Sequence, residues 1–130
     1  MLERTLLWTL ALAMMAVGAL HFIEPEPFLR LVPPPLPAAA CVYASGVFEI
    51  LGGIGLLVPT TRRAAAWGLI ALYLAVFPAN LYMALEGIQL DPANPMPEWM
   101  AWARLPFQAV FIGWAWWFTR AGAPRGGPPG

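Results

Sequence analysis

The chain has few charged residues, and this scarcity separates it from most soluble domains. Of its 130 residues only 11% are charged, whereas 60% are hydrophobic, and the mean hydropathy is +0.66. A soluble globular domain carries about 25% charged residues. The composition therefore excludes an ordinary soluble domain and predicts an integral membrane protein.

Cysteine, histidine and lysine are also nearly or wholly absent. The single cysteine, Cys41, excludes an intramolecular disulfide and a thiol relay between two cysteines of one chain. There is one histidine, and no HxxxH or CxxCH motif, so we expect neither a metal site nor haem. All seven basic residues are arginine, the net charge is zero, and no basic stretch predicts binding to nucleic acid.

Four long apolar runs dominate what is present. They cover about residues 5–23, 37–58, 64–85 and 100–119. Each is near the roughly 20 residues that a helix needs to cross about 30 Å of hydrocarbon, and open strands cannot satisfy their backbone there. The sequence thus predicts an all-α, integral membrane four-helix bundle. Residues 1–120 would form its single domain, and residues 121–130 a disordered cytoplasmic tail.

Two proline-rich connections, residues 24–37 and 86–99, separate the runs, and the first is too rich in proline for a regular helix. The arginines are unevenly distributed between the two ends of the predicted bundle. Five of them fall on the side away from the proline-rich connections: Arg4, Arg62, Arg63, Arg120 and Arg125. The positive-inside rule then predicts that both termini are cytoplasmic and that both proline-rich loops lie outside.

Five polar residues interrupt the apolar runs, and all are predicted at the centre or in the outer half of the membrane: His21, Glu49, Asn80, Arg104 and Gln108. A charge at the centre of a membrane helix costs about 2.5–3.5 kcal/mol. Glu49, in the middle of "GVFEILGGIGLL", is therefore expected either to be protonated or to pair with a basic group. Arg104 and His21 are the candidate partners.

Small residues surround Glu49 on its own helix: Ser45, Gly46, Gly52 and Gly53. Small side chains mark close helix approach in membranes, so we expect Glu49 to face other helices and not lipid. In "AVFPAN", Pro78 predicts a kink beside Asn80 and a small polar space next to it.

Each polar residue also has a purely structural interpretation. Glu49 and Arg104 would then form an interhelical clamp that fixes the register of two helices. Asn80 and Gln108 would be interhelical hydrogen bonds, and His21 an interfacial histidine. Five such residues in one half of the membrane nevertheless favour a ligand site, because intramembrane ionisable groups are usually functional.

The segments "GALHF", "GVFEILGGIGLL", "RRAAAWGLIALYLAVFPANLYMAL" and "RLPFQAVFIGWAW" resemble the DoxX-like family of small bacterial four-helix membrane proteins. The resemblance covers about residues 18–117. It implies a four-helix bundle in the bacterial inner (cytoplasmic) membrane and a link to redox biology, since relatives include a subunit associated with thiosulfate:quinone oxidoreductase. It carries over no catalytic residue set.

Three functional hypotheses follow. The first is a redox-associated subunit with an outer-half pocket for a quinone or other small lipophilic ligand, in which Glu49 exchanges protons. The second is a non-catalytic scaffold or assembly partner of a membrane redox complex. The third is a transporter of small solutes that acts as a homo-oligomer. The expected partners are the lipid bilayer, a redox enzyme and further copies of the chain.

Overall fold

The computed structural model describes residues 1–120, which form helices and connecting turns with no strand. The helices are α1 (Leu2–Ile23), α2 (Glu26–Leu29), α3 (Ala38–Leu57), α4 (Arg62–Glu86) and α5 (Glu98–Trp117). The predicted all-α class is confirmed for this part of the chain. The tail predicted to be disordered, residues 121–130, lies outside the described residues.

Three of these helices, α1, α3 and α4, are long and apolar enough to cross a membrane. The composition-based prediction of a membrane protein is thus supported by the helices themselves. Helix α5 has 20 residues, but it is not among the three, since Arg104, Gln108 and several tryptophans lower its hydropathy. The predicted fourth span, residues 100–119, stays a prediction.

The proline-rich connection at residues 24–37 was expected to exclude regular helix, and this expectation is wrong for one turn. Residues Glu26–Leu29 form α2, with Pro25 as its N-cap and Pro27 in its first turn. Proline is tolerated there, because the first backbone N–H groups of a helix have no partner within the helix.

In α4 the helix continues through Pro78 without interruption, and the kink predicted at this residue stays a prediction.

The long helices pack in sequence, α1 on α3, α3 on α4 and α4 on α5. At one end, Trp117 Nε1 donates to Glu3 Oε1 at 3.3 Å, and Arg62 Nε donates to the carbonyl of Leu56 at 2.6 Å. The start of α1, the end of α3, the start of α4 and the end of α5 therefore meet there. We call this the arginine end (residues 1–5, 55–65 and 115–120) and the opposite one the loop end (residues 21–37 and 83–101).

Two apolar clusters hold the fold together. The larger one fills the half near the arginine end, where Leu7, Leu10, Leu56, Leu69 and Phe118 are buried. The smaller one lies at the loop end and consists of Leu31, Met83, Ala84 and Ala101. Leu31 thus attaches the proline-rich connection to α4 and α5.

Glycines in α3 allow close approach of its neighbours on two sides. A Cβ at Gly53 would lie 2.6 Å from the carbonyl oxygen of Ala11 in α1. A Cβ at Gly52 would lie 2.5 Å from Leu69 Cδ2 in α4. Both are closer than real Cβ atoms approach other heavy atoms, so α3 is packed tightly against α1 and α4 at the level just past Glu49.

Candidate functional site

A carboxylate and an imidazole meet between α1 and α3. Glu49 is 8% exposed, His21 is 6% exposed, and His21 Nδ1 lies 3.5 Å from Glu49 Oε2. The same Nδ1 is 2.7 Å from the carbonyl oxygen of Val17 and donates its proton there. Because that proton is already used, Glu49 Oε2 is left without a hydrogen-bond partner among the described residues.

The close contact of α1 and α3 is what brings this pair together. A Cβ at Gly18 would lie 2.8 Å from the carbonyl oxygen of Gly46 and 3.1 Å from Glu49 Cβ. A Cβ at Gly46 would lie 2.8 Å from His21 Cβ. The two glycines thus place the helix backbones side by side one turn from Glu49, while Ser45 beside them is half-buried.

The short helix α2 covers the imidazole at the loop end. The rings of Phe28 and His21 are stacked with centroids 3.8 Å apart and planes at 17°. Leu31, just after α2, is buried in the cluster with Met83, which fixes the position of the connection. The histidine is therefore enclosed by α1, α3 and a planar aromatic side chain.

A second polar group links α4 and α5. Asn80 Nδ2 donates to Gln108 Oε1 at 2.7 Å, and Gln108 Nε2 donates to the backbone carbonyl of Tyr73. The Tyr73 hydroxyl in turn donates to Met14 Sδ of α1 at 2.7 Å. These contacts form a chain of polar interactions across three helices, and in it Gln108, which is 6% exposed, uses both ends of its amide.

Arg104 lies one turn from Gln108 on α5 and is half-buried. Its Nε is buried and has no hydrogen-bond partner within residues 1–120. Among these residues, the only basic and acidic side chains within 4 Å of each other are His21 and Glu49, so Glu49 and Arg104 do not pair with each other. The structure therefore places His21 and Glu49 in contact, joins Asn80 to Gln108, and leaves Arg104 outside both pairs.

Tyr73 and Phe28 belong to this region, although the sequence patterns place neither of them beside the polar residues. Both are aromatic residues in apolar or proline-rich surroundings, where membrane proteins commonly carry such side chains. The spacing holds a signal for Tyr73, because it precedes Asn80 by seven residues, or two helical turns, and so shares its face. The contact of Phe28 depends on the fold of the connection, and no periodicity predicts it.

A cavity of about 510 Å³ lies at the loop end, between the end of α4, the start of α5 and their connection. Its lining includes Met83, Glu86, Gln89, Met96 and Glu98 and none of the five predicted polar residues. The Gln89 amide closes the connection by accepting from the N–H of Met96 at 2.7 Å and donating to its carbonyl at 3.3 Å. This cavity is thus separate from the polar residues.

Gln108 and Asn80 are expected to be energetically coupled. Replacing Gln108 by leucine should lower the free energy of unfolding by about 1–2 kcal/mol, because two hydrogen bonds between helices are lost. Asn80→Leu should lower the free energy of unfolding by less than Gln108→Leu, because it removes only the hydrogen bond to Gln108. In the double variant the two losses should fall short of additivity by about 0.6–1.7 kcal/mol, as measured by denaturation in mixed micelles. Strict additivity would mean that the observed contact carries no stability.

The structure is thus helical, with three helices long and apolar enough to cross a membrane and with ionisable groups buried between them. The model of a domain family of unknown function, DUF8561, matches residues 10–119, and the chain belongs to this family. The match runs from the first half of α1 to the end of α5 and includes all five polar residues. No curated protein and no solved structure matches the chain.

Proposed function

We propose that this protein is a DoxX-like, redox-associated subunit that binds a quinone or a similar small lipophilic molecule beside Glu49. The observation that carries the proposal is the burial and incomplete hydrogen bonding of the Glu49 carboxylate. It is buried in an apolar helix, it contacts an imidazole, and one of its oxygens has no hydrogen bond among the described residues. Buried polar atoms are normally hydrogen-bonded, and ionisable groups inside a membrane are functional candidates by default.

The contrast with the second polar group supports a ligand role for Glu49. Asn80 and Gln108 are bonded to each other and to backbone, as expected for residues that only lock helices together. Within the described part of the chain, Glu49 and Arg104 each keep a buried polar atom without a hydrogen bond. A clamp between helices would join these two opposite charges, because an isolated buried charge is costly.

The chemistry of the residues fits a molecule that carries carbonyl or hydroxyl oxygens on a flat ring. A quinone supplies two-electron redox chemistry coupled to protons when it is bound. The Arg104 guanidinium is a permanent donor for a carbonyl oxygen. His21 Nδ1–H donates a hydrogen bond to the Val17 carbonyl, which leaves Nε2 as an acceptor for a hydroxyl group of the ligand. Glu49 is the group that takes up or releases the proton of the ligand.

The proposed setting is a four-helix bundle with α5 as its fourth span in the inner membrane of a bacterium. Both termini would be cytoplasmic and both proline-rich loops outside. The charges of the described residues support this orientation. The arginine end carries four arginines and one glutamate, and the loop end one arginine, four glutamates and one aspartate. A membrane redox enzyme and further copies of the chain are the proposed protein partners.

Ligand-dependent thermal unfolding tests this function. Decylubiquinone, added to the purified protein in detergent, should raise the unfolding temperature by several degrees, since a bound ligand stabilises only the folded state. Glu49→Gln should remove this shift, because the amide neither takes up nor releases the proton. Glu24→Gln is the matched control. It makes the same change at an exposed glutamate and should keep the shift.

The proposal fails if the wild-type protein shows no shift with decylubiquinone or with a menaquinone analogue. It also fails if Glu49→Gln keeps the full shift. The unfolding temperature of each variant without ligand separates loss of binding from loss of folding.

A scaffold in a redox complex is the second candidate, and the chain of contacts from Asn80 through Gln108 and Tyr73 to Met14 favours it. These contacts tie three helices together and need no ligand. In that case Glu49→Gln would change stability without affecting the recovery of a partner enzyme that is purified with the protein.

A further inference from the structure

Three helices carry the same pair of exposed side chains, an arginine at the arginine end and a tryptophan at or next to it. In α1, in α4 and at the end of α5, the positions of an arginine and a tryptophan differ by four. All three tryptophans are about half exposed, and all three arginines are exposed. The pairs are Arg4 with Trp8, Arg63 with Trp67, and Arg120 with Trp116.

The pairs also share one orientation. In α1 and α4 the tryptophan lies one helical turn, about 5.4 Å, nearer the middle of the molecule than the arginine. Trp116 likewise lies within α5, whereas Arg120 follows the end of that helix. Arg120 is stacked on tryptophan, with its guanidinium carbon 5.2 Å from the centroid of Trp116 and 5.4 Å from that of Trp117. The contact of Trp117 with Glu3 brings this pair beside the start of α1.

Positive charge exceeds negative charge at this end, with four arginines and one glutamate among the described residues. Arg62 is a fourth arginine at this end, and unlike the other three it is buried. None of the four forms an ion pair with a carboxylate in residues 1–120. Like charges gathered at one end of the molecule favour an anionic partner there.

We propose that the arginine end is a binding surface for the headgroups of anionic phospholipids. Tryptophan settles at the level of lipid headgroups, with its ring in the apolar part and its N–H toward water. An arginine one turn farther out is then level with the phosphates. Its planar guanidinium binds phosphate through two parallel hydrogen bonds, which a lysine ammonium does not provide.

The half-exposed tryptophans favour a lipid over other anionic partners. An acidic peptide or a nucleic-acid duplex would meet the arginines but would leave the indole rings without an apolar neighbour. A phospholipid presents phosphate and acyl chain in the order in which arginine and tryptophan follow each other on the helices. The surface involves neither Glu49 nor a quinone, so it stands or falls independently of the proposed function.

Spin-labelled lipids in nanodiscs test the proposal. With wild-type protein, labelled phosphatidylglycerol should be immobilised in preference to labelled phosphatidylcholine, by roughly fivefold for each arginine at the surface. High salt should weaken this preference. In the triple variant Arg4→Gln, Arg63→Gln, Arg120→Gln the ratio should fall close to one.

The single variants Arg63→Gln and Arg30→Gln form a matched pair, because Arg30 is exposed at the loop end. We expect Arg63→Gln to lower the ratio and Arg30→Gln to leave it unchanged. An equal affinity of the wild-type protein for the two lipids would overturn the proposal, and so would an equal loss in both single variants. Helicity in zwitterionic nanodiscs checks folding, and the single variants decide the question if the triple variant does not fold.

Discussion

An alanine at Gly53 is expected to destabilise the protein by roughly 1–3 kcal/mol, the usual cost of forcing extra volume into a packed interior. The added Cβ would lie 2.6 Å from the carbonyl oxygen of Ala11 and 2.7 Å from Met15 Cγ. The methionine side chain can rotate away, but the carbonyl belongs to the backbone of α1. The helix as a whole must therefore move, and this strain exceeds the gain of about 1 kcal/mol that alanine brings to a helix. Thermal unfolding in detergent measures the difference.

Gly113→Ala is the matched control for this substitution. Gly113 also lies inside a long helix, and no atom of residues 1–120 lies within 4 Å of the Cβ that alanine would add. Only the helix-propensity gain remains, so its unfolding temperature should stay the same or rise. Equal effects of the two variants would contradict the close contact of α1 and α3 that places His21 beside Glu49.

The positions of the helices could largely be predicted from the sequence. Apolar runs of about 20 residues mark the long helices, because lipid leaves the backbone no other way to satisfy its polar groups. The predicted runs agree with α1, α3, α4 and α5 to within three residues at each end. The single turn of α2 does not follow from this criterion. Proline excludes the interior of a helix, but it is tolerated at a helix start.

The partner of Glu49 could not be chosen from the sequence. The rise of 1.5 Å per residue gives the depth of each polar residue along its helix, and both His21 and Arg104 have a suitable depth. It does not give the lateral neighbours of a helix. In the structure α3 lies against α1 and α4, and α5 packs against α4. His21 thus reaches the carboxylate, and Arg104 does not form an ion pair with it.

Tyr73 illustrates the same limit at the level of single atoms. Its position on the face of Asn80 follows from helical spacing. Its contacts do not, because Gln108, which donates to the Tyr73 backbone carbonyl, and Met14, whose sulfur accepts from the Tyr73 hydroxyl, lie on other helices. Contacts of this kind depend on how helices are rotated against each other, which is set by packing over their whole length.

The adjacent residues Arg62 and Arg63 are expected to respond very differently to the same substitution. Arg62 is 5% exposed, and its guanidinium donates to the carbonyls of Leu56 at 2.6 Å and Leu57 at 3.5 Å, which end α3. Arg63 is exposed to solvent. Methionine in place of Arg62 keeps much of the side-chain volume but leaves the last carbonyls of the helix without this donor.

Arg62→Met should therefore lower the free energy of unfolding by about 2 kcal/mol. A hydrogen bond from a charged donor contributes about 1.5–3 kcal/mol, and relief from burying the charge offsets part of the loss. Arg63→Met makes the same change in charge and shape and should stay within about 0.5 kcal/mol of the wild-type protein. Denaturation in neutral detergent, without anionic lipid, compares the two variants directly. Equal stabilities would mean that α3 ends without help from Arg62, and that the Thr61 hydroxyl, which donates to Gly55 and Val58, and the backbone hydrogen bonds of the turn are sufficient to join α3 to α4.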